Sequence, residues 1–151
     1  MQPLVRLRYL ISNIQKGGRT LFKQTKAAPS FSVNDTKKAK DFYGKTLGLD
    51  VEEGKEGLEL HIAGGTDVFV YPKPDHTPAT FTILNFMVDN VEKTVDELGK
   101  RGVQFEKYDN SDIKTDARGI HNGPGPKIAW FKDPAGNILS VLEPTSMSKA
   151  S

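Results

Sequence analysis

Apolar side chains recur along this chain in two rhythms. In two places they lie three and four residues apart, as Ala39, Phe42 and Tyr43, and as Val91, Val95 and Leu98. That spacing puts each set on one stripe of a helix of about three turns. An Asn/Asp pair precedes each stretch (Asn34-Asp35 and Asp89-Asn90) and suits an N-cap. Gly44 and Gly99 fall where a helix is expected to stop. Around the helices, shorter runs predict strands at Ser30–Val33, Leu49–Glu52, Leu58–Ala63 and Val68–Tyr71, then at Thr82–Val88, Val103–Tyr108, Ile128–Lys132 and Ile138–Leu142. Ala63-Gly64-Gly65-Thr66 predicts a two-residue hairpin turn. Asp133-Pro134-Ala135-Gly136 has the residues of a type I turn at their favoured positions.

The order strand, helix, three strands occurs twice, and the chain repeats itself. With Val33 laid on Val88, identities fall at Lys38/Lys93, Asp41/Asp96, Gly44/Gly99 and Lys45/Lys100. One gap then brings Gly48 onto Gly102 and Glu52 onto Glu106. Each copy is a βαβββ unit too small to bury a core alone, so the two are expected to pack as one α+β body.

Composition narrows the chemistry. The 151 residues contain no Cys, which removes disulfides, thiol catalysis and Cys-ligated metal. No apolar run is long enough for a membrane-spanning helix. Residues 1–27 hold six basic residues and no acidic one, leaving 15 basic against 19 acidic residues in the remainder. The folded part is therefore mildly acidic, and no nucleic-acid partner is expected. Within the extension Leu4, Leu7, Ile11 and Ile14 fall near one helical face. It reads as a surface-seeking helix, a targeting presequence or a frayed helix on the domain. The division is a basic extension over 1–27, a domain over 28–146 with modules at about 28–75 and 79–146, and a tail over 147–151. Cytoplasmic residence is expected, with an organelle left open by the extension.

Phe31-Ser-Val-Asn-Asp35, Ala39-Lys-Asp-Phe-Tyr43, Leu47-Gly-Leu49 and Trp130-Phe-Lys-Asp-Pro-Ala-Gly-Asn137 occur in an order that resembles the vicinal oxygen chelate superfamily. That group includes glyoxalase I, fosfomycin resistance proteins, extradiol dioxygenases and bleomycin resistance proteins. The resemblance implies paired βαβββ modules whose sheets curl around a ligand cavity, in a protein that is often a homodimer. Members that use a metal carry its ligands on the first and last strands of each module. On this chain those positions fall at Ala28, Val68, Ile83 and Ser140. Three are hydrocarbon and none is a competent donor for a divalent cation. No cofactor is therefore expected, a divalent metal rebuilt from other residues being the alternative.

Three histidines remain, His61, His76 and His121. Strand parity puts His61 with Glu59, facing either the cavity or solvent. His76 lies in a Pro-rich connector and is expected to be exposed. Parity with Ala28 and Ile83 assigns Ser30, Ser32, Asn85, Met87, Val70, Ile138, Ser140 and Leu142 to the cavity side. Phe31, Val33, Phe69, Tyr71, Leu84, Phe86, Leu139 and Val141 are then expected against the helices. Residues 109–126 read as a long connection whose Arg118 and His121 reach over the cavity mouth, or as an ordinary surface loop.

The expected ligand contacts are thus Ser32, His61, Asn85, Met87, His121, Trp130 and Ser140, a mostly apolar set with a few directional polar groups. They point to metal-free binding of a small organic molecule. The alternative is a lyase, isomerase or dioxygenase with a displaced metal or with acid–base chemistry by His61, Glu59 or His121. A third possibility is an interaction module whose cavity has collapsed.

Overall fold

The computed structural model describes residues 21–145. The amphipathic stretch at Leu4–Ile14 and the tail therefore lie outside the described residues. A 3-10 turn at Leu21–Gln24 precedes β1 (Ser30–Val33), α1 (Thr36–Lys40), β2 (Asp50–Gly54), β3 (Gly57–Ile62) and β4 (Thr66–Pro72). The second module holds β5 (Thr82–Met87), α2 (Val91–Lys100), β6 (Ile120–His121), β7 (Lys127–Lys132) and β8 (Ile138–Glu143). Sheet A has the order β1-β4-β3-β2 and sheet B the order β5-β8-β7-β6. In each, the first strand runs parallel to the last and the other pairings are antiparallel. The repeat is thus a repeat of topology.

Both helices start as the N-cap residues dictate. Asp35 accepts from the Lys38 amide at 3.0 Å, and Asn90 from the Lys93 amide at 2.8 Å. Neither helix stops at the expected glycine. After Lys40 the chain widens into a π-helical turn over Asp41–Thr46, so Gly44 is internal to it, and Gly99 is internal to α2. The left-handed residues that turn the chain are Gly48 (φ 76°) and Gly102 (φ 89°). The wide turn lets two consecutive aromatics serve the core. Tyr43 packs on Phe31 at 5.9 Å, and Phe42 on Phe131 of the other module at 6.3 Å.

Two loop expectations are corrected. Ile62 pairs with Thr66, so the β3–β4 hairpin has a three-residue loop, with Gly64 and Gly65 both at positive φ. Val103–Tyr108 is not a strand. Phe105 makes a single bridge to Phe131 and Glu106 one bond to the Trp130 carbonyl before the chain departs. Ile120–His121 takes the edge of sheet B instead. Gly119 makes the exchange possible, because a Cβ there would lie 2.8 Å from the Glu106 carbonyl.

One core cluster serves both modules, running from Val33, Tyr43, Leu60 and Val70 to Val91, Ile120, Phe131 and Leu139. A polar clamp crosses it. Asp133, at the head of the β7–β8 turn, accepts from the Tyr43 hydroxyl at 2.7 Å, the Asn137 amide and side chain, and the Ala135 amide. Asn137 in turn donates to the Ser32 carbonyl at 3.0 Å. Burial and the nearby Asp133 carboxylate hold the Tyr43 hydroxyl well above the usual phenol range, so it stays a donor. The Asp-Pro-Ala-Gly-Asn sequence therefore makes a turn and also stitches one module to the other.

Candidate functional site

Register decides which side chains share a surface. In sheet A, Leu58 pairs with Val70, Leu60 with Val68 and Phe31 with Val70. These sit on the helix side. The opposite face carries Ser32, Tyr71, Phe69, Glu59, His61, Asp67 and Glu52. The expected parity of β4 is thus reversed: Val68 and Val70 are core, and Phe69 and Tyr71 lie on the outer face. The β3–β4 loop is longer by one residue than expected, and a one-residue slip turns every side chain over. In sheet B the expected parity holds from Leu84 onward. Asn85 pairs with Ser140, Met87 with Leu142, and Trp130 with Ser140, all on the face away from α2. Ile83 sits at a bulge between Thr82 and Leu84 and packs against the core.

The two outer faces differ in chemistry. On sheet B the fully buried Ser140 hydroxyl donates to Asn85 Oδ1 at 2.6 Å, fixing the amide on an exposed strand edge. Trp130 stands beside them, with Tyr108 edge-on at 5.5 Å and His121 at 6.4 Å. Met87 is 76% exposed, an apolar side chain left uncovered at the end of the strand. His121 donates from Nδ1 to the Lys114 carbonyl at 2.8 Å, and Gly123 lies against its other ring nitrogen. It buttresses Trp130. Arg118 does not reach over this face: it pairs with Asp96 and with the Glu92 carbonyl on α2, pinning the long connection down. Ile120 is buried and Asp116 accepts from the Arg118 and Ile120 amides, so residues 109–126 are a largely exposed surface loop anchored at Gly119–Ile120 along the edge of sheet B.

On sheet A, His61 donates from Nδ1 to Asp67 Oδ1 at 2.8 Å and places Nε2 3.4 Å from Glu52 Oε2. The Asp67 hydrogen bond above all, then the Asp67 and Asp50 charges and the Glu52 contact, raise the imidazole above its ordinary 6.5 against a smaller opposing effect of burial. Ser32 is separated from this group. Its hydroxyl meets His76 Nδ1 at 2.8 Å, while His76 Nε2 donates to the Ala135 carbonyl at 3.0 Å. A carbonyl only accepts, so Nε2 carries a proton, and with the ring in that tautomer Nδ1 accepts a hydrogen bond from the Ser32 hydroxyl. His76 is therefore half-buried and bonded at both nitrogens, not exposed as its place in the Pro-rich connector suggested.

The superfamily's metal positions fail on this structure. Ala28 is exposed hydrocarbon, Val68 and Ile83 pack in the core, and the Ser140 hydroxyl is engaged by Asn85. Phe69, the position of β4 that does share the Ser30 face, is no donor either. Concavities of about 510 and 370 Å³ lie elsewhere, one between α2 and Arg118 and the other beside Arg101 and Pro134.

Sequence comparison agrees with the fold. The Glyoxalase/Bleomycin resistance protein/Dioxygenase superfamily matches residues 27–141, and the chain belongs to that family. It is 25% identical to the uncharacterized protein YraH of Bacillus subtilis (strain 168) over 126 residues, 74% of this chain and 91% of that one. Among solved structures it resembles TnmS3, an antibiotic binding protein from Streptomyces sp. CB03234, with 27% identity and a TM-score of 0.57 over 81% of this chain and 98% of the other. A glyoxalase family protein from Enterococcus faecalis, 20% identical, shares the fold with a TM-score of 0.59 over 81% and 99% of the two chains. Among the described residues no helix is long and apolar enough to cross a membrane.

Proposed function

We infer that the protein binds a small organic molecule on the outer face of sheet B by shape and hydrogen bonds, without a cation at the end-strand positions of its superfamily. The observation that carries this reading is the contiguous set Trp130, Ser140, Asn85 and Met87, an apolar and aromatic floor with one oriented amide. The TnmS3 protein, described as antibiotic binding, is similar enough to support it. The bare Met87 and the open face suit a homodimer in which a second copy covers the ligand. Cytoplasmic residence belongs to this reading and rests on the cysteine-free composition.

Trp130 is the sole tryptophan, so its fluorescence reports on this face alone. Native mass spectrometry of the protein from its own cell should find a co-purified organic mass. Returning that compound to emptied protein should change Trp130 emission saturably, and Asn85→Ala should weaken the effect by about tenfold or more, the loss of one oriented hydrogen bond. Uptake that leaves the emission unchanged and is equal in Asn85→Ala would sink the reading. A second reading, acid–base chemistry at His61, is favoured by the Asp67–His61 hydrogen bond, which orients the ring and sets Nε2 beside Glu52.

A further inference from the structure

The β2–β3 hairpin sets Glu52 directly across from Glu59, so two carboxylates share one spot on the outer face of sheet A. His61 lies two residues along β3 on the same face, and one donor atom from each of the three falls within 4.8 Å of the others. Like charges directly opposite in a sheet repel, and Glu59 is 8% exposed. Two carboxylates and an imidazole are donors that a divalent cation takes. Asp67 takes the Nδ1–H of His61, which turns Nε2 toward the carboxylates. Metal-bound histidines are oriented in this way by an outer carboxylate. The 3.4 Å from Nε2 to Glu52 Oε2 is long for a charge-assisted hydrogen bond. It matches the roughly 3.4 Å edge between two donors each about 2.1 Å from a tetrahedrally held ion.

We propose that Glu52, Glu59 and His61 form a divalent-cation site, with Asp67 as the positioning residue for the imidazole. One imidazole and two carboxylates suit zinc, and three protein donors leave a position for water or a ligand oxygen. Glu52 and His61 are open to solvent on that side, which gives the ion an entry path. The site lies on β2 and β3, apart from the end strands where the superfamily places its metal. It stands independently of the sheet B reading, and its test uses no organic ligand.

Tag-free full chain, stripped with a chelator, is titrated with zinc chloride by calorimetry and with cobalt chloride by visible absorption. One saturable equivalent is expected, with a cobalt band marking nitrogen and oxygen ligation. His61→Ala should abolish both signals, and Glu52→Gln, at an exposed position, should weaken affinity by more than about tenfold. Asp67→Asn should cost about 10–100-fold, the usual effect of losing an outer-shell partner. His76→Ala and His121→Ala should change neither, with thermal melts confirming that every variant is folded. Absence of saturable uptake by the wild-type chain would overturn the proposal. So would uptake that survives both His61→Ala and Glu52→Gln.

Discussion

Sheets A and B descend from the same βαβββ plan, yet their outer faces have opposite characters. Sheet A presents Glu52, Glu59, His61 and Asp67, a charged cluster beside Phe69 and Tyr71. Sheet B presents Asn85, Met87, Trp130 and Ser140, with one oriented amide and no acid among them. The inner faces, by contrast, are interchangeable in kind: Leu58, Leu60 and Val70 on one, Ala129, Phe131 and Leu139 on the other, all buried. Duplication therefore holds where packing demands it and lapses where packing does not. Burying an apolar side chain contributes about 1.5–3 kcal/mol wherever it sits, whereas an outer-face residue is free to follow ligand chemistry.

The largest effect should come from what the sheets share. Asp133→Ala removes the acceptor for Tyr43, Asn137 and two turn amides, and should lower stability by about 3 kcal/mol or more, read by urea unfolding. A loss under about 1 kcal/mol would mean the two modules are held by the apolar core alone. Tyr43→Phe, which removes one donor and keeps the ring, should cost about 1–2 kcal/mol in the same assay. If it costs as much as Asp133→Ala, the clamp acts as a single unit.

The outer faces should respond differently. Met87→Glu places a charge on an exposed side chain, so monomer stability should change by less than about 0.5 kcal/mol. Where the proposed homodimer forms through this face, sedimentation velocity should instead show it falling apart. An unchanged sedimentation coefficient would remove Met87 from any contact between copies.

The smallest expected effect concerns how α2 is tied to its sheet. The Lys127 ammonium, 2.6 Å away, holds the Glu92 carboxyl below its ordinary 4.5. A depressed carboxylate stabilises the fold above its ordinary value, and that contribution is lost as pH falls through the depressed one. Glu92→Gln should therefore flatten the fall of the melting temperature below about pH 4.5. An identical acid limb in variant and wild type would show that the pair contributes nothing measurable, as many exposed pairs do.

Much of the fold was legible because its signals are local. Asp35 and Asn90 cap helices wherever the chain goes, and Asp133 with Gly136 makes its turn from side-chain and backbone preferences alone. The register of β4 was less accessible. A loop of two residues and a loop of three look alike around Gly64-Gly65, and the choice turned Val68 and Val70 inward and Phe69 outward. Glu52 and Asp67 were missed as neighbours of His61 for the same reason, since both reach it across a hairpin rather than along a strand. Counting back from the Ile62–Thr66 pair would have found Asp67; Glu52 needed the Gly54–Gly57 pairing as well.

The helix caps, the paired modules and the absence of ligands at the end-strand positions follow from residue order, because periodicity and donor chemistry act over a few positions at a time. The neighbours that matter to chemistry come from longer range. Ser32 meets His76 from 44 residues away, Tyr43 meets Asp133 from 90, and His61 meets Glu52 and Asp67 across paired strands. Those meetings rest on strand register and on how the two sheets close over one core. No local preference encodes either of them.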